Sequence, residues 1–321
     1  MSRTDYSRRA PSDAGATGPA PGTQSLAIPA AYAGRRLDQA LAELLPEHSR
    51  SRLKQWIESG DVRVDGAAAE PRRKLRGGEH IALTAVPAAP LDDAPEDIPL
   101  AILHEDDALL VLDKPAGLVV HPGSGNRAGT LLNALLHHAP ALAALPRAGI
   151  VHRLDKDTSG LMVVGKTLVA VTALVRAIAA REVRRRYLAI AQGRAPAAPF
   201  SVEAPIGRDP QMRLRMAVVA SGKPARTDVE RLGGDERFSA LRCTLHTGRT
   251  HQIRVHLASR RLPLVADRLY GGKPAEGIER QALHAAELAF AHPRSGEPLA
   301  FASPLPADLE PLWRRLAGSP A

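Results

Sequence analysis

From residue 100 onward the chain returns repeatedly to short apolar runs, at 108–112, 161–164, 187–191 and 241–245. Only at 168–181 does it show the apolar period of an amphipathic helix. Stretches of four or five largely apolar residues, 241–245 alternating with Arg242 and Thr244, are too short for helices and suit strands. Strands spaced so unevenly, with one strong helix among them, do not follow the strand-helix alternation that a parallel sheet requires. The feature therefore predicts an α+β domain on a mixed, largely antiparallel sheet, spanning 100–321. No internal repeat at a fixed period competes with this reading.

One of the runs carries a deceptive signal. Residues 160–167 fit the phosphate-loop pattern G-x-x-x-x-G-K-[ST], and the apolar run ending at Asp113 imitates a second nucleotide-binding motif. A phosphate loop needs a strand before its first glycine and inward-turned backbone N–H groups after it. Here Leu161, Met162, Val163 and Val164 form a strand themselves, and 155–159 are polar and turn-like. The expectation is a buried strand followed by a turn, with nucleotide hydrolysis a distant alternative.

Ahead of this domain the composition changes three times. Residues 1–30 are rich in Ala, Gly, Pro, Ser and Thr and are expected to be a disordered tail. Residues 31–84 form a small α+β unit: Leu37, Leu41, Leu44 and Leu45 recur at helical spacing, and Leu53, Trp56 and Ile57 mark a second helix that Gly60 ends. Val62 and Val64 then lead to a hairpin turn at Asp65 and Gly66, and 81–83 close the unit as a strand. Residues 85–99 hold four prolines among alanines and acids, an extended, semi-rigid linker.

The formal net charge is +9, and seven acidic residues with no Lys or Arg lie between Asp92 and Asp107, leaving the remainder at +16. That balance favours a polyanionic partner, nucleic acid first. Neither a membrane-length apolar run nor a secretory signal is present, so a cytoplasmic protein is expected. The lone Cys243, within an apolar run, reads as a buried thiol with no catalytic role.

The segment from His152 to Gly160 puts the carboxylate of Asp155 on a polar turn before a buried strand, flanked by the cations Arg153 and Lys156. Such a carboxylate suits a nucleophile. Metal ligation by His152, Asp155 and Asp157 and an ordinary surface turn are the competing readings, and on this segment alone the turn would prevail. Further segments accompany it: Asp113 to Gly117 with His121 to Gly123, Arg186 to Ala189, Gly222 to Ala225, His246 to His256, and Asp267 to Gly271. Together they resemble, in order and separation, the RluA family of pseudouridine synthases, over nearly all of the chain from residue 100. The runs 120–126 and 132–137 are most similar to its RluD branch, and 31–84 resembles an S4 RNA-binding domain.

The resemblance implies that uridines in the large-subunit ribosomal RNA or its precursor particles are isomerised, in the helix 69 stem-loop. RluC-like or tRNA-directed specificity is the alternative, and a non-catalytic RNA-binding assembly factor a weaker one. It also implies Asp155 as nucleophile, Arg254 as its ion-pair partner and Tyr187 packed on the target base, its hydroxyl helping to move the C5 proton. Arg153 would occupy the space of the displaced base. Arg36, Ser49, Arg50, Arg52, Lys54 and Arg63 would contact RNA from the S4-like unit, and Arg181 and Arg184–Arg186, read as a basic helix end, would meet phosphates nearby. Where relatives commonly carry Lys two residues before the tyrosine, this chain has Arg185. The isomerisation is redox-neutral, so no cofactor and no metal are implied. A monomer is expected.

Overall fold

A computed structural model of the protein describes residues 23–45, 48, 50–84 (main chain alone at 23 and 50–52), 94–123, 126–212 and 215–318. They fall into two compact units. The first contains strands β1 (Thr23–Ala27), β2 (Val62–Val64), β3 (Ala67–Ala68) and β4 (His80–Thr84) and helices α1 (Leu37–Leu44) and α2 (Arg50–Ser59). Its antiparallel sheet has the order β1-β4-β2-β3. Leu37, Leu41, Leu53, Trp56, Ile57, Val62, Val64, Ile81 and Leu83 form its core, as the apolar spacing predicts. Asp65 and Gly66 both take positive φ (54° and 77°), the backbone of a tight hairpin turn.

The expected tail extends too far. Thr23–Ala27 is a strand paired with β4, and Ile28 is 2 % exposed in the core of this unit. A short strand whose polar residues outnumber its apolar ones carries little local signal, and the hydrogen bonds that hold it come from β4, more than fifty residues away. Residues 1–22 and 85–93, the remainder of the expected tail and most of the expected linker, lie outside the described residues.

The second unit holds β5 (Ala101–Glu105), β6 (Leu109–Lys114), β7 (Ser159–Gly165), β8 (Arg184–Gln192), β9 (Phe200–Glu203), β10 (Ile206–Arg208), β11 (Met216–Val218), β12 (Arg226–Gly234), β13 (Phe238–Leu245), β14 (Leu283–Ala291) and β15 (Pro298–Ala302). Its helices are α3 (Leu131–His138), α4 (Leu168–Ala180), α5 (Gln252–Ser259) and α6 (Glu310–Ala317). Nine strands form one sheet, β5-β6-β7-β14-β8-β13-β12-β9, with β15 also on β14. Every pairing is antiparallel except β7 with β14. The predicted mixed, largely antiparallel α+β architecture is thus the one observed.

The centre of the sheet is covered on both faces. Leu110, Leu112, Met162 and Val164 enter one core with α3, and Leu109, Val111, Leu161 and Val163 enter another with Leu174 of α4. That is why these runs are continuously apolar rather than alternating. The phosphate-loop look-alike lies here, and each of its fixed letters has a structural duty. A β-carbon on Gly160 would come within 2.3 Å of the Ala285 carbonyl oxygen, and one on Gly165 within 2.8 Å of Val171. Lys166 Nζ pairs with Glu105 at 2.7 Å, and the Thr167 hydroxyl accepts from Ala170 N at the start of α4. Among the described residues no helix is long and apolar enough to cross a membrane.

Candidate active site

Asp155 lies on the loop leading into β7, behind the buried anchor Leu154. Three features hold this loop. Its turn closes with Thr158 N donating to the Asp155 carbonyl. Lys114, wholly enclosed at the end of β6, spends its three ammonium protons on the carbonyls of Pro115, Leu118 and Lys156 at 2.7–3.0 Å. Burial brings the Lys114 pKa down to about 8 against the pull of Asp157 and Asp155. Finally, Arg280 donates to the Asp157 carbonyl at 2.9 Å while gripping Asp308 with Nε and Nη2. Two consecutive carbonyls after Asp155 are therefore tied to cations from distant segments, the end of β6 and the loop before β14.

The Asp155 side chain is 16 % exposed, and its Oδ2 accepts from Arg254 Nη1 at 2.9 Å. Arg254 lies in the first turn of α5 and is itself clamped from behind: Nε and Nη2 form a fork on Asp267 at 2.7 and 2.9 Å. The two carboxylates raise the Arg254 pKa against the opposing effect of burial, so the guanidinium stays charged. Its Cζ sits 5.0 Å from the centre of the Tyr270 ring.

On the other side of Asp155 is His251, with Nε2 3.8 Å from Oδ1. It precedes α5 in the left-handed conformation, φ 56°, a cost for a residue with a β-carbon. The Tyr270 hydroxyl accepts from Met216 N at 3.0 Å, so its own proton goes to His251 Nδ1 at 2.8 Å. That assignment leaves the His251 Nε2–H facing Asp155. Burial lowers the His251 pKa, and the Asp155 charge opposes the shift.

Tyr187 is 6 % exposed on β8, across from Cys243 on β13 and Ala285 on β14. Burial raises its pKa, and so does the Asp155 charge, while Arg185 works the other way. The Cys243 thiol behind it is fully buried and pushed up to about 12, consistent with an inert core position. Asp155, Tyr187 and Arg254 line one cleft of about 730 Å³, and Arg153 stands exposed at its rim. Among the described residues the cleft is lined by six arginines (147, 153, 181, 185, 249 and 254) against one carboxylate, so its walls favour an anion.

Sequence reasoning named the facing groups and missed their supports. Asp267, Lys114, His251 and Tyr270 all lie in motifs whose resemblance was noticed, yet none had a role there. Arg280 carried no signal. A charge expected to be buried needs a second partner, an argument that would have pointed to an acid behind Arg254 had it been applied. His152, weighed as a metal ligand, lies in the cleft wall with its Nε2 accepting from Val163 N at 3.1 Å. Beyond Gly160, β14 leaves β7, and the imidazole takes over an exposed backbone donor there. Burial, with Arg185 adding to it, lowers the His152 pKa to about 3.

Arg184–Arg186 are not a helix end. Arg181 ends α4 with φ 66°, Val183 turns into the core, and the three arginines open β8. In the first unit, Arg36 forks onto Asp38 with two bonds of 3.0 Å, Lys54 faces Glu58 at 3.4 Å, and Arg63 stands exposed on β2. Ser49 and the side chains of Arg50 and Arg52 lie outside the described residues.

Comparison with known proteins gives consistent results. The RNA pseudouridylate synthase family matches residues 108–259, and the S4 domain matches 35–81. A protein of Xanthomonas campestris pv. campestris named ribosomal large subunit pseudouridine synthase D is 52 % identical over 302 residues, 90 % of this chain and 91 % of that one. A protein of the same name from Nitrosomonas europaea is 50 % identical over 328 residues, 98 % and 94 % of the two chains. Among solved structures, human RNA pseudouridylate synthase domain containing 1 superposes with a TM-score of 0.53 at 27 % identity, covering 67 % of this chain and 88 % of that one.

Proposed function

Because this chain belongs to the family of RNA pseudouridylate synthases, we propose that it isomerises uridines of large-subunit ribosomal RNA, in the helix 69 stem-loop, with Asp155 as the nucleophile. The observation that carries the assignment is the Asp267–Arg254–Asp155 chain: a partly exposed carboxylate in an arginine-lined cleft, oriented by an arginine that is itself immobilised. Asp155 acts at the ribose, either by bonding to C1′ as the bond to N1 breaks or by drawing off the 2′ proton to leave an unsaturated sugar. Both routes need an ionised carboxylate in one position, which Arg254 supplies by charge and Asp267 by geometry.

The base then turns and rejoins the sugar through C5, losing the C5 proton while N1 gains one. Tyr187 packs on the base, and its phenol, held protonated by burial, relays that proton rather than storing it. Arg153 at the rim takes the place of the extruded base. Arg63 and Lys54 of the S4 unit stand exposed as phosphate contacts. The names of the full-length relatives support the choice of large-subunit rRNA.

The test incubates the purified protein, without ATP or added metal, with unmodified large-subunit rRNA and with tRNA, beside Asp155→Asn. New pseudouridines in the helix 69 loop are expected, with a loss of more than about 1000-fold in the variant. Modification confined to tRNA would overturn the substrate, and an active variant would overturn the nucleophile.

A further inference from the structure

We propose that Arg185 is a receptor for one backbone phosphate of the RNA strand that enters the cleft. The proposal rests on the RNA-modifying function above. Arg185 sits two residues before Tyr187 on β8, so both side chains leave the same face of the sheet, and both line the cleft. It is 6 % exposed, its Nε is buried without an acceptor, and no hydrogen bond or ion pair to its guanidinium is found among the described residues.

The other cations of the region keep water or an anion: Arg147, Arg153 and Arg181 stand exposed, and Arg249 donates to the Pro224 carbonyl. Arg254 has two carboxylates, Arg186 has Glu287 although its Nε is likewise buried without an acceptor, and Arg280 has Asp308 and backbone carbonyls. The groups about Arg185 are the neutral imidazole of His152, the phenol of Tyr187 and the bare backbone of Gly248. Asp155, the one carboxylate lining the cleft among the described residues, is engaged by Arg254. A guanidinium withdrawn from water without a counter-charge is expensive, and a fold keeps one where a ligand supplies the anion.

Gly248 bears on what that anion can reach. A β-carbon there would lie 3.1 Å from Arg185 Nη1, so its absence leaves an edge of the guanidinium open. Two parallel N–H groups match the two non-bridging oxygens of a phosphodiester, the one anion that an RNA strand carries at each step. An ammonium at this position would bring the charge without the fork. Arg181 and Thr247 line both this cleft and an adjoining pocket of about 520 Å³ bounded by Pro224 and Arg226, which gives the strand a path away from Arg185.

The experiment measures equilibrium binding of a helix 69 stem-loop over a range of salt concentrations, in an Asp155→Asn background that binds without turnover. Arg185 is compared with Arg185→Gln and Arg185→Lys, and each protein is melted with and without inorganic phosphate. For Arg185→Gln the dissociation constant should rise about 10- to 100-fold, and the slope of log K against log salt should fall by about one phosphate, roughly 0.7–0.9. Arg185→Lys should keep the slope and bind about tenfold more weakly. Phosphate should raise the melting temperature of the Arg185 protein and not that of the Gln variant, which should melt no lower without ligand. A folded Gln variant with an unchanged slope would overturn the proposal and make Arg185 a base contact. A Gln variant that melts lower while phosphate leaves the Arg185 protein unmoved would make it a structural residue. Failure of the Arg185 protein to bind any RNA, with the phosphate effect intact, would sink the substrate reading and leave the anion site standing.

Discussion

Arg254 shows why the identity of one side chain matters here. Its Nε and Nη2 are committed to Asp267, which leaves Nη1 to reach Asp155 in a single orientation. A lysine has the charge but no second edge with which to be held. A different residue sets the behaviour in acid. His152 is enclosed with a pKa of about 3, and His121 is lowered to about 4, by burial first in both cases. In the unfolded chain each takes a proton near its ordinary value of 6.5, so their contribution to stability is present above that pH and is lost as pH falls toward 3–4. The melting temperature of the second unit should therefore drop between pH 7.5 and 5, with roughly 1–2 kcal/mol lost through His152. Replacing it by Gln should make the dependence shallower, whatever the change in stability at pH 7.5. An unchanged pH profile in that variant would show that His152 does not carry the effect.

Among elements, β7 joins the fold to the chemistry. It is the partner of β14 in the sheet's parallel pairing, and the register brings Gly160 against Ala285. Gly160 has φ +114°, and a β-carbon there would lie 2.3 Å from the Ala285 carbonyl oxygen. The Gly160→Ala protein should lose at least about 3 kcal/mol, or roughly 6–12 °C in melting temperature. Gly296→Ala, also at positive φ but in open space, should lose only about 1 kcal/mol. Equal losses at the two sites would mean that backbone conformation, rather than the close approach of β14, is what Gly160 provides. The same strand marks the reach of pattern reading. Residues 161–164 announce a buried strand by their apolar run, but the two glycines that bracket it look like a phosphate loop until the strand and helix they touch are known.

Each of the two units has its own apolar core, so each is built to fold by itself. The cleft, with Asp155, Tyr187, Arg185 and Arg254, belongs wholly to the second. A protein starting at residue 88 should fold cooperatively and still modify a minimal stem-loop, while its affinity for intact rRNA falls about tenfold or more for want of the S4 contacts. Turnover assays and filter binding on the same preparation check this. Loss of activity on the minimal stem-loop would assign the S4 unit a part in the chemistry.

Local pattern was enough to determine the strands at 161–164, 187–191 and 241–245, the helix at 168–181, the Asp65-Gly66 turn and the burial of Cys243. Each depends on residues within one or two turns of chain, where apolar period and turn chemistry act. Resemblance added which residues would face the substrate. Neither could supply what depends on contacts between remote segments. Thr23–Ala27 becomes a strand because β4 offers it hydrogen bonds, and Arg184–Arg186 become one because the left-handed Arg181 ends the helix before them. Asp155 is held through Lys114, Arg254 and Arg280, which lie 41, 99 and 125 positions away by their residue numbers. The lack of a partner around Arg185 is likewise a property of the packed structure. A sequence lists charges, but whether a buried one has been matched is settled only when the chain has closed around it.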